Sequence, residues 1–278
     1  MINIKINRPV VAYILFGFMV FVAMLYLRFP GGAVAQYLVS SVSERQPERL
    51  LLIDDVKPAI PPGLSIENVV VGLRNHPEAN IRMERFQVRP SFWNLLKGKS
   101  SLILGGNMYG GSLSGNVDAV RFMRFQGPIQ ARLNVRDVSI QKCNFITMRM
   151  GRQISGKLTG LLTYRGDLDN FLSGSGSTEF ILRNGSYPFL ENIFGFNKLD
   201  FDKVEAQMDL KNGMLRINNL KLSGPKVHLT LKGDILLKGD IKNSQLEMTS
   251  SIEFPGQSNS KITMAIGGTI GNPTTRMM

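Results

Sequence analysis

The sequence predicts a mainly β protein with antiparallel pairing, preceded by one apolar helix. Three observations carry that class. From Val204 to Ile270, apolar and polar residues alternate in successive short runs, and a period of two sends alternate side chains to opposite faces of a strand. Val10 to Leu27 is an unbroken uncharged run. Glycine is frequent at 28 residues and tryptophan is single, a composition suited to a turn-rich β protein.

In the C-terminal third, Val204, Ala206, Met208 and Leu210 share one face, and Asn212-Gly213 then gives a two-residue signal for a tight hairpin. Leu215 and Ile217 alternate with Arg216 and Asn218. After Gly224-Pro225, Val227, Leu229 and Leu231 stand against His228, Thr230 and Lys232. Leu246 and Met248 follow, and Ile262, Met264 and Ile266 close the series. Strands with one apolar and one polar face are the mark of an antiparallel sheet covered on one side.

At the N-terminus, about 18 residues of helix from Val10 span roughly 27 Å, close to a hydrocarbon core. Pro9 suits a first helical position. Lys5, Arg8 and the amino terminus precede the run, and Arg28 is the nearest charge after it until Glu44. That asymmetry predicts a single-pass membrane anchor with a cytoplasmic N-terminus and an exported body. The competing reading is a signal peptide cleaved after Ala35, because Ala33-Val34-Ala35 is an A-x-A match. It sits well past the end of an apolar run that is long for a signal peptide.

Phe29-Pro30-Gly31-Gly32 breaks the helix. Ala33 to Arg45 reads as a short amphipathic helix, and Pro47 to Pro62 as a linker or loop. The expected organisation is therefore a tail and anchor over residues 1–30, an amphipathic segment and linker over 31–63, and a β domain over 64–278. Leu64 to Leu73 and Arg82 to Val88 read as strands, and Pro90 to Leu96 as a short helix with Ser91 at its cap. Leu102 to Val117 is a glycine-rich hairpin. No helix follows its glycines, which argues for turns over a phosphate-binding loop. Ile129 to Arg136 is a strand, Asp137 to Met150 a helix, Gly156 to Arg165 and Ser175 to Arg183 strands, and Pro188 to Phe194 a short helix.

The chemistry is sparse. There are two histidines, His76 and His228, and a single cysteine, Cys143. No nucleophile–base pairing, metal-ligand spacing, phosphate loop or dinucleotide fingerprint is present. The expectation is a non-enzymatic protein with no catalytic residue, no metal and no cofactor. Asp54-Asp55 reads as a solvated turn. The net charge of +12 suggests anionic partners, and Arg121, Arg124, Arg132, Arg136, Lys142, Arg149 and Arg152 form a lopsided basic block. They are candidates for contact with anionic lipid or a protein partner. An exported body argues against nucleic acid. The apolar face has two readings. It is the closed core of two packed sheets, or the lining of an open groove formed by Val204, Ala206, Met208, Leu210, Leu215, Ile217, Val227, Leu229, Leu231, Ile262, Met264 and Ile266.

Several stretches resemble a known family. A single apolar helix ends in Leu27-Arg28-Phe29-Pro30. Then come Leu64-Ser65-Ile66-Glu67-Asn68-Val69, the run from Arg89 to Gly98 (RPSFWNLLKG), and the hairpin Tyr109-Gly110-Gly111-Ser112-Leu113-Ser114-Gly115. Together they are similar to protein N of the bacterial type II secretion system. Asn212 to Ile217, Leu222 to Ile235 and Ile266 to Pro273 resemble the AsmA and TamB superfamily. The resemblance covers nearly the whole chain through soft motifs, glycine turns and alternation. It implies one transmembrane helix followed by a curved antiparallel sheet or β-groove in the periplasm, with a few short helices and no enzymatic activity. The implied partners are the inner membrane and other type II secretion components. The alternative it carries is a lipid-binding or lipid-transfer module, with phospholipid or another acyl-chain lipid in the groove.

Overall fold

The period-two stretches become strands of a single antiparallel sheet. A computed structural model of the chain describes residues 8–97, 100–119, 128–167, 170–193, 196–255 and 261–278. Helices α1 (Arg8–Leu27) and α2 (Gly31–Arg45) come first, then strands β1 (Arg49–Leu52), β2 (Asp55–Ala59), β3 (Gly63–Leu73) and β4 (His76–Pro90). Helix α3 (Phe92–Leu96) leads into β5 (Ser100–Met108), β6 (Gly111–Ala119) and β7 (Pro128–Ser139). A 3-10 turn at Ile140–Lys142 and helix α4 (Asn144–Met150) precede β8 (Lys157–Asp167), β9 (Ser175–Ile193) and β10 (Phe196–Lys211). The chain ends in β11 (Met214–Ser223), β12 (His228–Leu236), β13 (Gln245–Glu253), β14 (Lys261–Gly268) and β15 (Pro273–Met277). From β3 onward each strand pairs with the next in the chain, while β1 and β2 share the other side of β3. The ladder is open: it runs from β1 and β2 to β15, whose residues are all exposed.

Local chemistry sets the turns. Asn212 and Gly213 both have positive φ, 49° and 77°, as the mirror-image hairpin turn requires. Tyr109 and Gly110 adopt the same turn at 51° and 76°, and the Tyr109 hydroxyl accepts the Arg82 backbone N–H at 2.8 Å. Left-handed residues also sit inside strands: Asn68 in β3, Asp137 in β7 and Asn184 in β9. Asn and Asp tolerate that conformation best among non-glycine residues. At Asn68 and Asp137 the apolar phase moves by one position. Ile66 and Val69, on either side of Asn68, enter the same apolar cluster. Val135 faces Gly160 and Val138 faces Leu158 across the Asp137 shift.

The best-buried core lies under α2. Ala35 packs with Val56, Ile66 and Val69, ringed by Phe29, Leu38, Leu51, Met83 and Phe86. Gly31 lets the helix start flush on β2, since a Cβ there would collide with the Val56 carbonyl oxygen. Ala35, the last residue of the A-x-A match, is thus a core residue within α2. On the far side of β3, β5 pairs with β4 only from Arg85 to Pro90. Helix α4 packs over β4, and an edge left open invites such cover.

The structure corrects three expected elements. The stretch from Pro47 to Pro62 is not a linker: it holds β1 and β2, which pair with β3. Asp137 to Met150 is helical only from Asn144, because β7 continues through its bulge to Ser139. Pro188 to Phe194 was expected as a helix, but β9 runs on to Ile193, and Pro188 lies opposite Lys198 of β10; Phe194 lies outside the described residues. Among the residues described, no helix is long and apolar enough to cross a membrane.

The accessible surface is 18906 Å². A compact monomer of 30.9 kDa would expose roughly 12,000 Å². The excess is what a one-layer sheet with a projecting helix produces. Among the described residues the strands form one sheet, and no second sheet covers it.

Candidate functional site

The register assembles the apolar positions into rows that cross the strands. One row reads Val138, Leu158, Leu182, Val204, Leu222, Leu229, Ile252, Ile262, each directly opposite the next. It is aliphatic without interruption. At a strand spacing of about 4.8 Å it extends roughly 34 Å. The neighbouring rows bring in the other predicted residues: Ala206 opposite Leu220, Met208 opposite Ile217, and Leu210 opposite Leu215. Leu231 stands opposite Leu220, Met264 opposite Ser250 and Ile266 opposite Met248. Val227 precedes β12, two residues from Leu229, and is buried. All twelve predicted residues thus share one face.

That face is only half-buried. In the aliphatic row Val138 alone is buried, and the other seven residues are of intermediate exposure. Side chains that touch laterally but have nothing above them give this result. Sequence reasoning missed Leu158, Leu182, Leu220, Leu222 and Ile252. A β-bulge at Asn218 hid Leu220 and Leu222, since the register shifts between Ile217 and Leu220 and so breaks the alternation. Where β8 and β10 end and β9 begins, the face is closed by Tyr164, which is 5% exposed. Its hydroxyl donates to the Asp167 and Phe171 carbonyl oxygens, both at 3.1 Å, and its ring stacks on Phe171 at 4.3 Å between centroids. Burial pushes the Tyr164 phenol above its ordinary value, and the Asp167 carboxylate adds to the shift.

The opposite face carries a concavity of about 1080 Å³ across β6 to β11. Two polar rows line it. One is Asn116, Arg132, Thr163, Ser177, Asp209, Arg216; the other is Asp118, Gln130, Arg165, Ser175, Lys211, Met214. Arg216 is held by Asp234, Nε to Oδ1 at 2.9 Å and Nη2 to Oδ2 at 3.3 Å. Asp118 Oδ1 is buried with no hydrogen-bond partner among the described residues. Of the twelve apolar candidates only Leu210 borders this concavity. A twisted sheet bends in opposite senses along its two diagonals, so either face can be hollow. Alternation shows which residues share a face and is silent on the sense of bending.

The described members of the basic block do not form one patch. Arg132 lines the polar concavity, and Arg136 is exposed further along the same face of β7. Lys142 is exposed in the 3-10 turn beyond that strand. Arg152 is committed elsewhere: its Nη1 donates to the Tyr187 hydroxyl at 3.1 Å and the Pro188 carbonyl at 3.2 Å, with the guanidinium over the Tyr187 ring. Arg149 belongs to α4, its side chain outside the described set, and Arg121 and Arg124 lie outside the described residues.

The polar singletons have structural settings. Asp54 accepts from Asn68 Nδ2 at 2.8 Å, which ties the start of β2 to β3, and Asp55 lies 3.4 Å from Lys57 within β2. His76 faces Glu78 at 3.5 Å with both exposed, and His228 is exposed at the start of β12. Cys143 is buried before α4. Among the described residues no three His, Cys, Asp or Glu side chains gather as a metal site would require.

Comparison with protein-family models, with curated proteins and with solved structures found no match.

Proposed function

We propose that the chain is a non-enzymatic, inner-membrane-anchored periplasmic component of the type II secretion system, whose working surface is its open apolar face. The observation that carries this reading is the aliphatic row from Val138 to Ile262, left half-exposed in a one-layer sheet. An uncovered apolar surface of this extent marks a place of contact. The resemblance to protein N supplies the secretion context. The anchor reading rests on the uncharged run from Val10 to Leu27, set beside the finding that no described helix is long and apolar enough to cross a membrane. Tyr13, Ile14, Leu15, Phe16, Phe18 and Phe21 are all exposed on α1, and a helix apolar on every side needs a protein core or a bilayer around it. Lys5 and Arg8 before the run favour a cytoplasmic N-terminus.

A second reading rests on the chemistry of the same row. Eight aliphatic side chains and no polar group along roughly 34 Å of face suit an acyl chain as well as a protein. In that case the protein is a lipid-binding or lipid-transfer module of the envelope. One experiment separates the two. A photo-crosslinking amino acid at Ile252 is activated in cells, and adducts are resolved by mass spectrometry. Adducts with secretion-machinery proteins support the first reading, and phospholipid adducts support the second. A position that captures neither counts against both.

A further inference from the structure

We propose that α3 and the turn from Ile60 to Pro62 form a second membrane contact, a bilayer-docking edge that seats the N-terminal end of the sheet on the lipid surface. The inference rests on reading α1 as the anchor. Its starting point is α3, whose sequence is FWNLL. Phe92 is 50% exposed, Trp93 77%, Leu95 47% and Leu96 80%, and no residue of the helix is buried. Scattered exposed apolar residues are ordinary, but four within one five-residue helix form a patch. Tryptophan, phenylalanine and leucine beside a lysine make up the composition of an interfacial segment, and exposed Lys97 follows directly.

Position selects the bilayer as the occupant. The Tyr26 hydroxyl near the end of α1 donates to the Ala59 carbonyl, which fixes where the apolar helix meets the sheet. Ala59 pairs with Gly63 across the turn, and Ile60 at its tip is 84% exposed. A Cβ on Gly63 would collide with Arg89, so the end of β4 lies directly alongside. Pro90 then closes β4, and Ser91 N–H bonds the Ser101 carbonyl at 2.9 Å as α3 begins. From Ala59 to Arg89 is two strand spacings, roughly 10 Å. The α1 exit, the Ile60 tip and α3 therefore sit together at one end of β2, β3, β4 and β5. The other end of these strands carries polar contacts instead, such as Arg74 Nη2 to Ser43 Oγ at 3.4 Å.

The chain's single tryptophan is Trp93, so its fluorescence reports on α3 alone. The full chain is reconstituted into phosphatidylethanolamine and phosphatidylglycerol vesicles, with and without bromine on the acyl chains. Flotation reads the anchor, while bromine quenching and iodide quenching read Trp93. Docking requires flotation, loss of Trp93 emission in brominated vesicles, and protection from iodide. The Phe92→Asp, Leu96→Asp double variant, which touches no buried residue, should still float but regain its emission and its iodide access. Vesicles that float with Trp93 open to iodide and insensitive to bromine overturn the docking edge and leave the anchor standing. Protection from iodide without bromine quenching also overturns it, and points to a protein cover. Failure to float overturns anchor and edge together.

Discussion

Replacing Leu229 by aspartate tests whether the apolar face is open. Leu229 lies opposite Leu222 on β11 and Ile252 on β13 and is partly exposed. Full burial of a leucine side chain is worth about 1.5–3 kcal/mol, so a half-buried position forfeits about 1–1.5 kcal/mol. In a closed core the carboxylate would add several kcal/mol of desolvation. On an open face water reaches it, and the expected destabilisation stays at about 1–2 kcal/mol, a drop of roughly 2–8 °C in melting temperature for a chain of this size. Thr230→Asp is the control. Thr230 faces Lys221 and Ser251 on the polar side, and the new charge should leave stability within about 0.5 kcal/mol of the parent. Thermal unfolding of the full chain in detergent, followed by circular dichroism, is run beside mass spectrometry of co-purifying lipids. A Leu229→Asp chain that fails to fold while Thr230→Asp melts normally would refute the open face. A folded Leu229→Asp chain that keeps its full lipid complement would refute the face as a lipid site.

Other outcomes follow from single residues. Tyr164→Phe removes the donor to two carbonyls and should cost about 1–3 kcal/mol in denaturant titration. Because burial raises the Tyr164 pKa in the folded state, its contribution is complete below about pH 10, where the free phenol titrates. It is lost as pH rises through the raised folded value. The stability gap between parent and Tyr164→Phe should therefore narrow in alkali, and a constant gap would count against the assignment. Gly185→Ala sets a Cβ against the Ser155 carbonyl and the Phe201 ring and should cost about 1–3 kcal/mol from overpacking, read as a lower melting temperature. A reporter fused after Met278 should behave as periplasmic, and cytoplasmic activity would reverse the topology drawn from Lys5 and Arg8.

The strands were legible where alternation is strict and the turn is built from Asn-Gly, as at Val204 to Ile217. They were hidden where a residue changes the phase. Asp137 and Asn184 each insert a left-handed step into a continuing strand, so a reader counting by two ends the strand there, whereas β3 was read straight through Asn68. At Asp137 that error turned the end of β7 into a helix. The strands β1 and β2 were lost because Pro58 and Pro61-Pro62 mimic a linker. Pro58 is tolerated because β2 is an edge strand. Pro188 to Ile193 is extended because β10 pairs with it, a tertiary preference no local window contains. The apolar face was readable from periodicity only in part: Val204, Leu229 and Ile262 of the aliphatic row were, while the residues contributed by β7, β8, β9 and β13, and Leu222 beyond the β11 bulge, were not. The position of the concavity was not readable, because hollowness depends on the accumulated twist of many strands.

The strictly sequential pairing of β3 to β15 has a consequence for how the chain is made. Nearly every long-range contact lies between neighbours in the sequence, as in a linear array of repeats whose stability is a sum of nearest-neighbour interfaces. No early strand waits for a late one, so loop-closure entropy stays small at each step. The sheet can zip from the α2-covered core outward as the chain is made, each new strand templated by the one before it. The same linearity makes truncation graded. A chain stopped at Gly224 should keep β3 to β11 folded, with β11 as its new rim, and lose only the strands that never arrived.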